Sequence, residues 1–152
     1  MRLLLCVVLL CGCSGSTNTT VAPQVTEQAS TSAPTTFVGR GKAYVAQARR
    51  NVELLKTERD TDKLLALKAE VTKAHSELEQ PAPDSEQQKD LQRYLENINV
   101  NFGTAVDFQI ERLTAEQSTD EEKKKSTKED AEMMINGTPK ICDQADEILK
   151  TM

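Results

Sequence analysis

Apolar residues recur three and four positions apart through most of the chain after residue 37, and this spacing constrains the fold most strongly. The clearest run is Leu64, Leu67, Val71, Ala74 and Leu78, which lines one face of a helix like a coiled-coil seam. No stretch alternates apolar and polar residues with a period of two, so we expect no strands. Ala, Leu, Glu, Lys and Gln, which favour helices, dominate the same region. The pattern predicts an all-α fold.

Breaks in the spacing divide this region into helices. We predict a first helix over 41–57 and a second over 61–80, because the apolar face changes direction between them and Asp60 can cap the second. A single long helix through both ranges is the alternative. Pro81 and Pro83 end the second helix, since proline lacks the N–H and clashes with the preceding turn.

Capping signals mark the remaining helices. Ser85, or the Asp before it, begins a third helix with a Gln placed for a capping box, and its apolar face continues to about Gln117. Ser118 begins a fourth helix with a solvated first stretch. Asn136-Gly137 is expected to end it, with Pro139 opening a last helix. The prediction is an up-and-down helical bundle of four to five helical segments over 38–152. An elongated three-helix bundle is the alternative.

The first thirteen residues carry the one specific motif of the chain. An uninterrupted apolar run at 3–10 follows a single positive charge. It is too short to span a bilayer as a helix and is typical of a secretory signal peptide. At its end, Leu10-Cys11-Gly12-Cys13 resembles the lipobox of bacterial lipoproteins, in which an apolar residue, a small residue, and Gly or Ala precede the Cys.

The resemblance implies that residues 1–12 are a signal peptide and that Cys13 is acylated after cleavage. The protein would then be attached to a membrane of the bacterial cell envelope through acyl chains on Cys13, facing the periplasm or the cell surface. Cys11 departs from the Ala or Ser usual at its position in that family. The alternative is a eukaryotic secretory signal and a secreted protein, which the Asn-x-Thr sequons at Asn18 and Asn136 would suit.

A tether is predicted between the signal and the helices, so that 13–37 comprises the lipidated Cys and a disordered spacer. Residues 14–36 include 11 Ser or Thr and a single charge, at Glu27. Such a segment has too little apolar surface to offset the entropy of ordering. As a flexible coil it would reach about 25–30 Å. An O-glycosylated stalk is the sharper alternative to a bare spacer.

The composition leaves few groups for catalysis or cofactor binding. The chain has one His, four Cys, no Trp and a net charge of −5. An acidic chain does not favour nucleic-acid binding. A di-iron bundle needs Glu-x-x-His on two helices, and Thr72 stands where the Glu would be. We therefore predict no metal site, no cofactor and no nucleic-acid partner.

Four further features of the helical region have an expected position in the fold. Cys142 is expected to be a half-buried core residue, with an intermolecular disulfide as the alternative. His75 should lie at the surface or at the edge of the second seam. Gln109 interrupts an apolar face and either fixes helix register or marks where the bundle opens to solvent. The run 123–125 of three lysines is expected to form a solvated helical face, because acidic neighbours cancel its charge.

These features favour a protein that presents a surface over one that catalyses a reaction. The function predicted is a membrane-tethered envelope lipoprotein whose helical bundle binds a protein partner or assembles with itself. A small-ligand carrier or an enzyme with a pocket between helices is the competing class. Only Gln109, Tyr94 and Cys142 are available to line such a pocket.

Overall fold

The computed structural model describes residues 36–78 and 82–152, and four helices account for most of them. They are α1 (Phe37–Thr57), α2 (Thr61–Ser76), α3 (Glu86–Ala115) and α4 (Glu121–Thr151). No strand occurs in these two ranges. The described part of the chain is therefore an all-α helical bundle, as predicted. The predicted signal peptide, Cys13 and nearly all of the predicted tether lie outside the described residues.

The helices follow one another up and down the bundle. At one end Gly41 lies against Leu91 of α3 and Leu149 of α4. At the other end Arg59, just after α1, contacts Glu116, just after α3. Helices α1 and α3 thus run in the same direction. The longest helices, α3 and α4, have 30 and 31 residues and form the most extensive contact in the bundle, while α2 contacts α1 and α3 but not α4.

All four helices contribute to one apolar core. The seam predicted for α2 is confirmed, because Leu64, Val71 and Leu78 are buried and the two residues between them are half-buried. Burying a side chain of this size stabilises the fold by about 1.5–3 kcal/mol before entropy is counted. The largest fully buried apolar side chains elsewhere are Val45, Val52, Leu55, Leu91, Leu95, Ile98, Phe102 and Val106.

The break between the first two helices lies where the change of apolar phase predicted it. The Asp60 carboxylate accepts hydrogen bonds from the backbone N–H groups of Asp62 and Lys63, at 2.9 and 3.3 Å. Each such N-cap stabilises a helix by about 1 kcal/mol, because the first N–H groups have no partner within the helix. Residues 41–80 therefore do not form one continuous helix. The end predicted near residue 80 was too late, since α2 ends at Ser76.

Helix α1 starts earlier than predicted, whereas the start predicted for α3 is confirmed. Helix α1 begins at Phe37, one turn before residue 41, because the Thr36 hydroxyl accepts from the N–H of Gly39 at 3.1 Å. Helix α3 follows Ser85, whose hydroxyl accepts from the N–H of Gln88 at 3.3 Å. The Gln88 side chain in turn accepts from the N–H of Asp84 at 3.1 Å. This reciprocal pair corresponds to the predicted capping box, except that the Gln88 side chain accepts from the N–H of Asp84, one residue before the N-cap Ser85.

Helix α4 contradicts two boundary predictions. Its N-cap is Asp120, whose carboxylate accepts from the N–H of Lys123 at 3.0 Å, so Ser118 does not begin the helix. The helix then continues through Gly137 and Pro139 to Thr151. Proline removes one hydrogen bond of the helix, but the buried face remains in phase across it. Packing of that face outweighs the local stop signals, and the expected last helix is part of α4.

Candidate functional site

Cys142 lies inside the bundle on α4. The side chain is 0% exposed, so the predicted core position is confirmed and burial is complete, not partial. Burial raises the pKa of the thiol to about 11, although the nearby Arg49 guanidinium acts in the opposite direction. The thiol is therefore protonated at neutral pH and is a poor nucleophile. An intermolecular disulfide through Cys142 would require the helices to open locally, and it stays a prediction.

Arg49 joins α1 to α4 on the surface near this thiol. Its Nη2 donates to Asp143 at 2.8 Å and to Asp146 at 2.7 Å. These bonds raise the pKa of the guanidinium, the bond to Asp143 contributing most. All three side chains are more than a third exposed, so solvent screens the pair and limits its stabilising effect. The arrangement is a pair of ion pairs that connects α1 to α4.

His75 lies at the edge of the bundle, as predicted, and packs against Tyr44 of α1. The two rings meet edge to face, with centroids 5.8 Å apart and planes inclined by 62°. The Tyr44 hydroxyl is buried without a hydrogen-bond partner. Burial, with a smaller contribution from Cys142, raises the pKa of this phenol well above its usual value. Tyr44 therefore remains protonated throughout the physiological range.

Gln109 is fully buried between α1 and α3. Its Nε2 donates to the backbone carbonyl of Leu55 at 3.3 Å. That carbonyl belongs to the last turn of α1, where carbonyl groups lack a partner within the helix. Gln109 thus caps the end of α1 from a neighbouring helix. The expectation that this polar residue lies where the bundle opens to solvent is wrong, and the alternative role in fixing register fits the contact.

The remaining predicted candidates are not gathered into one site. Tyr94 is half-buried against the core. Among the three lysines of the polar stretch, Lys124 pairs with Glu121 at 2.7 Å and Lys125 approaches Glu129 at 3.9 Å. This is the solvated, charge-balanced face that the sequence predicts. Over 36–78 and 82–152, no group of three or more His, Cys, Asp or Glu side chains is arranged to hold a metal ion.

An open groove with an apolar floor lies where α1 meets α2, although the two most exposed large apolar side chains of the described residues, Val100 and Met133, lie on α3 and α4. The groove, of about 290 Å³, is lined by Leu54, Ala66 and Leu67, with charged side chains along its sides. Leu54 is 53% exposed, and Leu65 on the outer side of α2 is 47% exposed. Covering an exposed apolar side chain of this size is favourable, so the groove beside Leu54 is a candidate contact surface.

Charged groups flank this groove. The Glu58 carboxylate accepts from the backbone N–H groups of Arg59 and Asp60 at 2.8 and 2.9 Å, and these bonds lower its pKa. Lys63 lies 3.9 Å from the same carboxylate. On the far side, Glu70 accepts from the Gln47 amide at 2.9 Å. The groove thus combines an apolar floor with ionised side chains of both signs, which suits a protein surface better than an apolar ligand.

None of the four described helices is both long enough and apolar enough to cross a membrane. Comparisons of the chain with models of protein families, with curated proteins and with solved structures find no match.

Proposed function

We propose that the protein is a lipid-anchored component of a bacterial cell envelope that presents its helical bundle as a contact surface and catalyses no reaction. Cys13 carries the acyl chains, residues 14–36 act as the spacer, and the bundle meets its partner away from the lipid. The observation that carries the presenting role is the open groove between α1 and α2, which is lined by the exposed side chain of Leu54.

The chemistry of the described side chains supports a binding role over catalysis. The thiol of Cys142 and the phenol of Tyr44 are buried, and burial raises the pKa of both groups. A nucleophile or general base needs a pKa near the working pH and access to its substrate. His75 packs edge to face on Tyr44 and occupies the rim of the bundle. These groups stabilise the fold and offer no reacting centre.

The proposed anchor rests on the lipobox-like motif at Cys13 and on the free energy of transferring acyl chains from water into a bilayer. One acyl chain holds a protein to a bilayer only marginally, whereas two or three give a stable attachment, at about 0.8 kcal/mol per buried methylene. A spacer of 23 residues that behaved as a flexible coil would have a reach of about 25–30 Å.

Membrane fractionation of the wild-type chain and two variants tests this proposal. We expect the wild-type chain and a Cys11→Ser variant to fractionate with membranes and to be released by detergent but not by salt. We expect a Cys13→Ala variant to remain soluble or to accumulate as an unprocessed precursor. The Cys11→Ser change is the matched control, because it removes a thiol two residues away without removing the proposed acylation site. Membrane attachment of a processed Cys13→Ala chain would refute the anchor.

Crosslinking on intact cells tests the presenting role separately. A crosslinker placed at Leu54 should join the bundle to another protein or to a second copy. The same crosslinker at Glu122, exposed in the first turn of α4, is the control. Equal crosslinking from both positions would contradict a specific contact surface at the groove.

A further inference from the structure

Helix α2 presents an outer face that the other helices leave uncovered. Within the helix only Leu64 and Val71 are buried, and α2 makes no contact with α4. Asp62, Ala66, Ala69 and Lys73 are all exposed and are separated by four, three and four residues. This spacing places them in one line along the helix, as in a coiled-coil seam.

The charges of this line are opposite at its two ends. Asp62 lies in the first turn of α2 and Lys73 in the last. Neither side chain forms an ion pair within the described part of the chain, whereas Lys63 and Lys68 of the same helix do. Lys63 and Glu70 flank the line on the side of the groove, one heptad apart, again with opposite signs. The face is therefore complementary in charge to an inverted copy of itself.

We propose that α2 is the contact surface for a second copy of this chain, with the two α2 helices antiparallel about a two-fold axis. In that arrangement Asp62 faces the partner's Lys73, and Ala66 faces the partner's Ala69. Lys63 then lies beside the partner's Glu70. Each of these contacts occurs twice, as an isologous interface requires. The inference deepens the proposed function by naming the partner, and it rests on that function for the membrane setting.

The apolar side chains fit the same arrangement. The small side chains at Ala66 and Ala69 allow the two helix backbones to approach closely. Leu65 lies on one flank of the line, and on the other flank the groove beside Leu54 meets the second copy. Both leucines are about half exposed in the single chain, at 47% and 53%, and the contact would cover them. Burial of these leucine side chains favours association, and the charges select the antiparallel orientation of the two helices.

A parallel arrangement is disfavoured by the same charges. It would bring Asp62 against the partner's Asp62 and Lys73 against the partner's Lys73. Like charges across an interface disfavour that pairing and suppress the wrong orientation.

The interface is short. Sixteen residues of α2 extend for about 24 Å, so the contact is smaller than the roughly 1,200–2,000 Å² typical of stable complexes. We expect a weak, reversible dimer in solution. Attachment of both copies to one membrane would raise their effective concentration and favour the pair.

Sedimentation equilibrium of charge-reversed variants tests the proposal. The sample is residues 13–152 with Cys13→Ser, which contains the whole bundle and carries no acyl chains, so failure of the anchor does not affect the result. We expect the parent chain to show a monomer–dimer equilibrium. Asp62→Lys alone and Lys73→Asp alone should each weaken the dimer at least tenfold. An equimolar mixture of the two variants should recover it, because the heterodimer again pairs opposite charges at both ends.

Matched controls separate this contact from general charge effects. Glu122→Lys reverses an exposed charge in the first turn of α4, and Lys140→Asp reverses an exposed lysine of the same helix; neither should change the equilibrium. Circular dichroism checks that each variant is folded, and the pair Lys63→Glu and Glu70→Lys repeats the mixing test independently. A parent chain that stays monomeric up to millimolar concentration overturns the proposal. So does a dimer that the reversals leave unchanged, or one that mixing fails to restore.

Discussion

The Nε2 of Gln109 on α3 donates a hydrogen bond to the backbone carbonyl of Leu55, in the last turn of α1, at 3.3 Å. The contact lies in the core, where both side chains are 0% exposed. It fixes the end of α1 at one position along α3. Since α2 begins four residues after α1 ends, the same contact also positions α2 and the groove beside it.

This geometry predicts a pH-dependent effect of Gln109→Glu. A buried carboxyl has its pKa raised by desolvation, by about two units in such a setting. Its folded-state pKa then lies above the unfolded value near 4.3, so stability is retained below about pH 4 and lost as the pH rises through about 6. We expect the variant to be close to wild type at pH 4 and about 3 kcal/mol less stable at pH 7.

Urea denaturation at the two pH values measures this difference. Gln117→Glu is the control, because residue 117 is exposed and the same change there should have little effect at either pH. A loss of stability for Gln109→Glu that is equal at pH 4 and pH 7 would show that the carboxyl is not desolvated.

A second polar contact joins α3 to α4 and predicts the effect of Thr138→Val. The Thr138 hydroxyl donates to the Asn101 Oδ1 at 2.7 Å, and Gly137 allows the amide to lie close to the α4 backbone. Valine keeps the shape but leaves the partly buried amide oxygen without its donor. We expect a loss of about 1–2 kcal/mol. Thr114→Val is the control, because that exposed hydroxyl bonds only within its own helix, and an equal loss there would contradict the account.

The sequence pattern predicted some helix boundaries correctly and missed others, in each case for an identifiable reason. The change of apolar phase near Asp60 predicted two helices, because a straight helix would have directed the two apolar faces to different partners. Gly137 and Pro139 led to a wrong prediction, because they are local stop signals and the continuing helix depends on tertiary packing. The position of Gln109 on an apolar face predicts that it is buried. The sequence does not indicate that its hydrogen-bond partner is the carbonyl of Leu55.

The contacts between distant residues could not be predicted in the same way. Arg49 and Asp143 are 94 positions apart, and Asn101 and Thr138 are 37 apart. Each pair meets only when the rotation and register of two helices are known. Helical spacing indicates which face is buried, but it does not indicate which turn of the neighbouring helix lies opposite.

The buried thiol of Cys142 predicts a loss of stability at alkaline pH. Burial raises its pKa to about 11 from a usual value near 9. The folded chain therefore keeps the proton after the unfolded chain has lost it, so this contribution is present below pH 9 and declines as the pH rises toward 11. The decline amounts to about 2 kcal/mol.

Denaturation of wild type and Cys142→Ala between pH 8 and pH 11 measures this contribution. The variant should show a smaller decrease in stability over this range, whatever its stability at pH 8. Burial, which is the larger cause of the raised pKa of Tyr44, is common to both proteins, so most of the Tyr44 contribution cancels in the comparison. Equal decreases in the two proteins would show that the thiol does not titrate differently in the folded state.

The intact mass of the full-length gene product, isolated from the membranes of its native cells, tests the central claim most directly. The account predicts a chain that begins at Cys13 and carries the added mass of a diacylglyceryl group, with or without a third acyl chain. Mild alkaline hydrolysis should remove the ester-linked chains and lower the mass accordingly. A chain that begins at another residue, or one that begins at Cys13 with no added mass, would contradict the account.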